Sequence, residues 1–294
     1  MITYRRLSEL SLNELVQLWN RGFEGYYLDV RMPLNSFVTR TADEGISLED
    51  SLAICADGQP VGFVVNGYRT MGGRKAAWNG GTGIVPEYRG QGFGKLLMER
   101  NLALYSELCV HTALLEALTQ NERAIRLYEC VGYSIADRLV YLQHDGALQD
   151  ALTQPAEPSE YVIRSGLAGE VRHLPFYRRL SAWQTQWQSI KNGESLLIEL
   201  GDEVVGYALY RRAFDEEGRV TAIYLYQCEA APGRHDETAI YTAALGRLFN
   251  PLELPIKRMT VNLRKSNTAL VALLSELGFT TAVEQVYMTR EIGD

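Results

Sequence analysis

The chain is written twice. Ser51-Leu-Ala-Ile-Cys-Ala-Asp-Gly-Gln-Pro-Val-Gly-Phe63 returns as Ser195-Leu-Leu-Ile-Glu-Leu-Gly-Asp-Glu-Val-Val-Gly-Tyr207. The eleven-residue step from Asn121 to Gly132-Tyr133 returns from Asn267 to Gly278-Phe279. Pro86 recurs as Pro232 and Tyr141 as Tyr287, a constant offset of 146 residues. One register therefore runs through the later part of both halves, the mark of an internal duplication. Between them, Gly146 to Glu160 carries Pro155 and Pro158 among short polar residues and reads as a linker. The expected organisation is a first domain over 1–145, a linker over 146–160 and a second domain over 161–294. At 294 residues the chain has room for two domains of ordinary size.

Within the first half, Ile2 to Leu7 reads as a strand. Ser11 is an N-cap for a helix carrying Leu12, Leu15, Val16, Leu18 and Trp19. A loop and second helix are expected over Tyr26 to Arg40. Leu52–Cys55 and Val61–Tyr68 read as strands joined at Asp57-Gly58, a hairpin signal. A Gly-interrupted strand follows over Ala76–Val85, then a helix over Gly90–Leu108 and a strand over Ala113–Leu118. Glu122–Val131 is a short helix stopped by Gly132, and Ile135–Leu142 closes as a strand. The order β-α-α-β-β-β-α-β-α-β describes an α/β domain of α+β, mixed-sheet type.

Composition narrows the functional classes. The chain is 46% hydrophobic and 22% charged, an ordinary globular balance, and its net charge of −7 argues against a broad nucleic-acid surface. Cys55, Cys109, Cys130 and Cys228 form no C-x-x-C pair, so zinc and redox motifs are missing and buried free thiols are expected. His111, His144, His173 and His235 show no ligand spacing, and no Gly-x-Ser-x-Gly elbow occurs. The first residues lack a secretory apolar region and no run reaches transmembrane length, which predicts a cytoplasmic protein without membrane partners.

Chemistry concentrates in Gly83-Ile-Val-Pro-Glu-Tyr-Arg-Gly-Gln-Gly-Phe-Gly-Lys-Leu96. A strand ends at Pro86, a Gly-rich turn follows, and a helix begins. Unpaired N–H groups and the positive end of a helix dipole then converge on one point, where a phosphate fits. A Walker A loop would need Gly where Arg89 stands and Ser or Thr where Leu96 stands. A dinucleotide fingerprint would need Gly at Lys95. Neither nucleotide motif is met.

These residues resemble the GNAT superfamily of acyl-CoA-dependent N-acetyltransferases. Arg89, Gly92 and Gly94 behind Ile84-Val85-Pro86 match its Arg/Gln-x-x-Gly-x-Gly/Ala motif. Asn121, Ala124, Tyr128, Gly132 and Tyr133 match its second signature. The resemblance covers the first 145 residues or so and the second half only in outline. It implies that backbone N–H groups over Arg89, Gly90, Gln91, Gly92, Phe93, Gly94 and Lys95 hold the pyrophosphate of acetyl-CoA. Ile84 and Val85 would pair with the pantetheine arm like an added strand, with Asn121 on its other side. The N–H near Val85 would meet the developing oxyanion. Tyr128 would be the general acid that protonates the leaving thiolate, a task open to a phenol with a pKa near 10. For the base, the strand carboxylate Glu116 is a candidate. Glu24, Tyr26, Tyr27 and Asp29 would belong to the acceptor site, where Glu24 and Asp29 are further candidate bases. No metal is implied.

The second half departs from that pattern where it matters. Arg89 becomes His235, Gly92 becomes Thr238, Gly94 becomes Ile240 and Tyr128 becomes Leu274. Residues 161–294 thus read as a degenerate GNAT-like copy that shapes the acceptor pocket or buries an interface. Its Trp183 to Trp187 stretch would serve as pocket wall or as a buried helix face. The implied activity is acetyl transfer from acetyl-CoA to a primary amine on a small molecule or peptide, directly in a ternary complex. A non-catalytic acyl-CoA-binding or sensing protein is the alternative, and Tyr128 speaks against it.

Overall fold

After strand β1 (Ile2–Arg6), Ser11 starts α1 (Leu12–Gly22) with a reciprocal cap. Its hydroxyl accepts the Glu14 N–H at 3.3 Å, and its own N–H donates to Glu14 Oε2 at 2.8 Å. The structure is a computed structural model and describes residues 1–148, 152 and 161–293. Leu15, Leu18 and Trp19 bury one face of α1. The loop and second helix expected over 26–40 are seen as a loop up to Pro33 and α2 (Leu34–Glu44), which runs four residues past the expected end. Pro33 disfavours helical backbone at Met32, so a helix can begin only after it. The residues before it form a loop held by Trp19 Nε1 donating to the Val30 carbonyl at 2.9 Å and by Asn20 bonding both backbone groups of Met32.

Strands β2 (Ile46–Ala56) and β3 (Gln59–Met71) turn at Asp57-Gly58, both at positive φ, as a two-residue hairpin requires. Then come β4 (Arg74–Ile84), α3 (Phe93–Glu107), β5 (Thr112–Leu118), α4 (Glu122–Cys130) and β6 (Ser134–Asp145). The second half follows with β7 (Tyr161–Leu167), β8 (Glu194–Leu200), β9 (Glu203–Phe214), β10 (Val220–Ala230) and α5 (Glu237–Leu248). It ends with β11 (Lys257–Thr260), β12 (Leu263–Arg264), α6 (Thr268–Glu276) and β13 (Thr280–Glu291).

Two compact units emerge, and their borders differ from those expected. One unit is Met1–Ala136 with Val286–Asp294, the other Asp137–Gln285. Each repeat gives up its final strand to the other unit. In the first, the Ile292 N–H donates to the His111 carbonyl at 2.8 Å and Thr112 Oγ1 to Glu291 Oε1 at 3.0 Å. In the second, β6 pairs antiparallel with β11, His144 opposite Arg258. Residues 149–151 and 153–160, with most of the expected linker and both its prolines, lie outside the described residues.

The units share one strand order. In the first, β1, β2, β3 and β4 pair antiparallel in sequence and β5 lies parallel to β4. In the second, β7, β8, β9 and β10 do the same and β11 lies parallel to β10. Even an irregularity is copied. Val65 faces Gly81 and Asn66 faces Asn79, so Gly80 is an extra, bulged residue; Tyr226 occupies the same place in β10. The β4–β5 ladder stops at Asn79 and Leu115 although the strands run on to Ile84 and Leu118. Beyond the bulge the two strands separate, as admission of a pantetheine arm would demand.

Two sequence expectations change. Cys55 and Cys228 are buried, but Cys109 and Cys130 are exposed; all four are free. Trp183 is fully buried but opens a three-residue 3-10 turn, Trp183–Thr185, so no α-helix puts Trp187 on its face. No helix among the described residues is long and apolar enough to cross a membrane.

Candidate active site

At the end of β4, Pro86–Tyr88 makes a 3-10 turn, and Gly90 and Gly92 carry the chain into α3 at φ of +79° and +85°. Only glycine takes those values without strain. Gly92 caps α3, so the N–H groups of Phe93, Gly94 and Lys95 lack helical acceptors and face the positive end of the dipole. A Cβ on Gly92 would meet nothing within 4 Å, so the turn borders open space. Gly94 answers a different need: a Cβ there would stand 3.2 Å from Leu127 Cδ2, and its absence lets α3 approach α4.

Arg89 ties this loop to its surroundings. Its Nε donates to the Ile84 carbonyl at 2.8 Å and its Nη2 to the Gly22 carbonyl at 3.1 Å. The guanidinium left over the loop is that of Arg123, on the first turn of α4. A Cβ on Gly90 would lie 3.8 Å from Arg123 Nη2. Arg123 is exposed and makes no ion pair among the described residues. The sequence reading overlooked it, although a cation two residues past the Asn121 cap was visible.

A cleft of about 450 Å³ opens here. Ile84, Arg89, Gly90, Gly92, Gly94, Lys95, Asn121 and Tyr128 line it from one side, and Glu24, Tyr26 and Tyr27 from the α1–α2 loop. Other expected residues do not line it. The Val85 N–H donates to the Val61 carbonyl at 2.9 Å, so it is spent on β3. By alternation, Ile84 and Thr82 turn their backbone groups to the separated side, where the Ile84 carbonyl already accepts Arg89 Nε. The Phe93 side chain points into the core and Gln91 Nε2 donates to the Glu87 carbonyl at 2.7 Å, whereas the expectation for both concerns their backbone N–H groups. Asp29 is exposed in a fork with Arg31, 2.8 Å on each oxygen, which holds its carboxyl down at about 2. Glu116 accepts Trp78 Nε1 at 2.7 Å outside the cleft lining. Among the lining residues the one carboxylate is Glu24.

Tyr128 is buried on α4 with its ring at the cleft, and burial pushes its phenol up to about 12. The neighbouring Thr82 and Asn79 side chains oppose that shift, and the nearby Tyr26 adds to it. Asn79 Nδ2 donates to Thr82 Oγ1 at 2.8 Å, which ties the two side chains beside the phenol to each other. Tyr26 is also raised by burial, with the Asn121 side chain as partner. Asn121 in turn caps α4, accepting the Ala124 N–H at 3.2 Å.

The second unit fills the same space. Ile240 and Leu274 are fully buried in its core. Where Gly90 and Gln91 stand in the first unit, Asp236 and Glu237 open α5. Asp236 bonds Arg234 and the Tyr161 hydroxyl, which hold its carboxyl far below the usual range. An anion thus already sits at the α5 N-terminus. Between β10 and β12, Arg264 Nη2 meets both oxygens of Glu229 at 2.9 Å. Asn267 persists because it caps α6, accepting the Leu270 N–H at 3.3 Å.

Comparison with curated proteins gives no match. Among solved structures, a GCN5-related N-acetyltransferase from Sphaerobacter thermophilus is similar over 100% of this chain and 96% of its own, at 16% identity and a TM-score of 0.63. One from Anabaena variabilis matches over 100% of this chain and 73% of its own, at 18% identity and a TM-score of 0.61. A tandem GNAT protein from the clavulanic acid biosynthesis pathway matches over 100% of this chain and 99% of its own, at 14% identity and a TM-score of 0.59. At these identities the likeness is one of fold, and it runs through both repeats. The sequence model of the Acetyltransferase (GNAT) family matches residues 12–133, the stretch that builds the cleft. Residues 12–133 thus match the Acetyltransferase (GNAT) family model, and the chain as a whole shares its fold with a tandem GNAT protein.

Proposed function

We propose that the first unit transfers an acetyl group from acetyl-CoA to a primary amine of a small molecule or peptide, directly, while the second unit binds no CoA. The carrying observation is one cleft that joins the Gly90–Gly92 turn and α3 N-terminus to the buried Tyr128 phenol. The loop N–H groups and Arg123 would hold the pyrophosphate. The backbone of Thr82 and the Ile84 N–H would pair with the pantetheine arm, the Ile84 carbonyl being held by Arg89. An amine is mostly ammonium at pH 7 and must lose a proton before it attacks the thioester; Glu24, directly or through water, is the group we assign to this. The C–S bond then breaks, and Tyr128 gives its proton to the departing thiolate. Raised to about 12, the phenol keeps that proton at neutral pH until it is needed.

The test has two arms. Acetyl-CoA at about 100 times its Kd should stabilise the chain by roughly 2.7 kcal/mol, read as a rise in Tm. Thiol release should then appear with one or more of a panel of primary amines. No rise in Tm contradicts the CoA assignment. A rise with no turnover on any amine indicates a binding or sensing protein.

A further inference from the structure

The bulge at Gly80 sets where β4 leaves β5, and it is gripped from α2. Gly80 lies outside the register pairs that β4 makes with β3 and with β5. Its carbonyl accepts Arg40 Nη2 at 2.7 Å. The guanidinium carbon lies 4.7 Å from the Trp19 ring centroid and 5.8 Å from that of Trp78, and Nε meets Glu44 Oε2 at 2.8 Å. Three contacts, with Trp19, Trp78 and Glu44, orient one planar cation. Its remaining fork then points at a single backbone oxygen, a geometry the guanidinium suits better than an ammonium.

The residues flanking that oxygen lie beside the phenol. Asn79 Oδ1 accepts the Gly81 N–H at 3.1 Å, Asn79 Nδ2 donates to Thr82 Oγ1, and both side chains are near enough to the Tyr128 phenol to act on its pKa. We infer that Arg40 is a positioning residue: by clamping the Gly80 carbonyl it fixes the strand separation and, through Asn79 and Thr82, the place of the Tyr128 hydroxyl. It touches no reacting atom. The inference rests on the acetyl-transfer reading for its consequence, though not for its geometry.

The test compares the full-length protein with Arg40→Met and Arg40→Lys by hydrogen exchange and by titration with coenzyme A. Arg40→Met should speed exchange over residues 79–84 by about tenfold or more, the effect of losing a charge-assisted bond. Segments in α1 and α3 should keep their protection, and coenzyme A should bind several-fold more weakly. Arg40→Lys should recover part of both losses. Unchanged exchange at 79–84, or a loss spread evenly over the unit without recovery by lysine, overturns the inference. If Arg40→Met does not fold, Arg40→Lys against the unaltered protein decides: selective loosening at 79–84 supports the clamp and its absence overturns it. If the unaltered protein fails to bind coenzyme A, the functional reading falls, and the exchange arm still decides the clamp.

Discussion

A phenol held near 12 is a donor across the whole neutral range, and that is what a departing thiolate requires. Tyr128→Phe should therefore lower kcat by about 100-fold or more and leave the Kd for coenzyme A within about twofold. Thiol-release kinetics beside a calorimetric titration would measure both. Turnover should not decline between pH 8 and 10 on account of this group, because its folded-state pKa lies above that window. An equal loss in kcat and in coenzyme affinity would mean that Tyr128 only packs. The residue was legible in the sequence because a helix carries it at fixed spacing from Asn121 and Gly132. Its partners were not: Thr82 and Asn79 meet it only because Gly80 bulges, and a bulge shifts the two-residue alternation that assigns faces. The same parity explains Val85. One residue along a strand reverses which side its N–H serves, so the free edge passed to Ile84.

The helix pair α3 and α5 shows how little separates a phosphate cradle from a plugged one. Both follow a proline-containing turn after a bulged strand, but α3 begins after two glycines at positive φ, whereas α5 begins two register positions earlier on Asp236 and Glu237. In α5 the first turn brings its own carboxylates, and Ile240 fills the volume beneath. The strand separation behind it is closed by the Glu229–Arg264 fork, whose side chains are 9% and 20% exposed. Arg264→Leu would leave the buried Glu229 carboxylate with only Arg178 Nε at 3.7 Å, so it should cost about 3 kcal/mol. Denaturant unfolding would read that loss, and coenzyme A affinity should stay unchanged because the pair lies in the second unit. The second half's departures from the first were legible at His235, Thr238, Ile240 and Leu274. The compensating ion pair was not, since its partners are 35 residues apart and meet only through the sheet. Likewise α2 runs four residues past its expected end at Arg40, to the left-handed cap at Gly45.

For the chain as a whole, duplication was readable from punctuation alone, and the division into units was not. Pro155 and Pro158 suggested a cut after residue 145, whereas the contacts divide the chain at 136/137 and return Val286 onward to the first unit. A strand's own pattern of residues records which face is buried, not which sheet it joins. The two units have one strand order and one bulge each, yet the glycine turn, the free cation Arg123 and the phenol occur together only in the first. One active site per chain is thus the central claim. Isothermal titration of the full-length protein with coenzyme A tests it most directly. A single site per chain, lost in Gly92→Val where a branched residue must take a φ of +85°, is the expected result. Two sites per chain, or one that survives Gly92→Val, would contradict it.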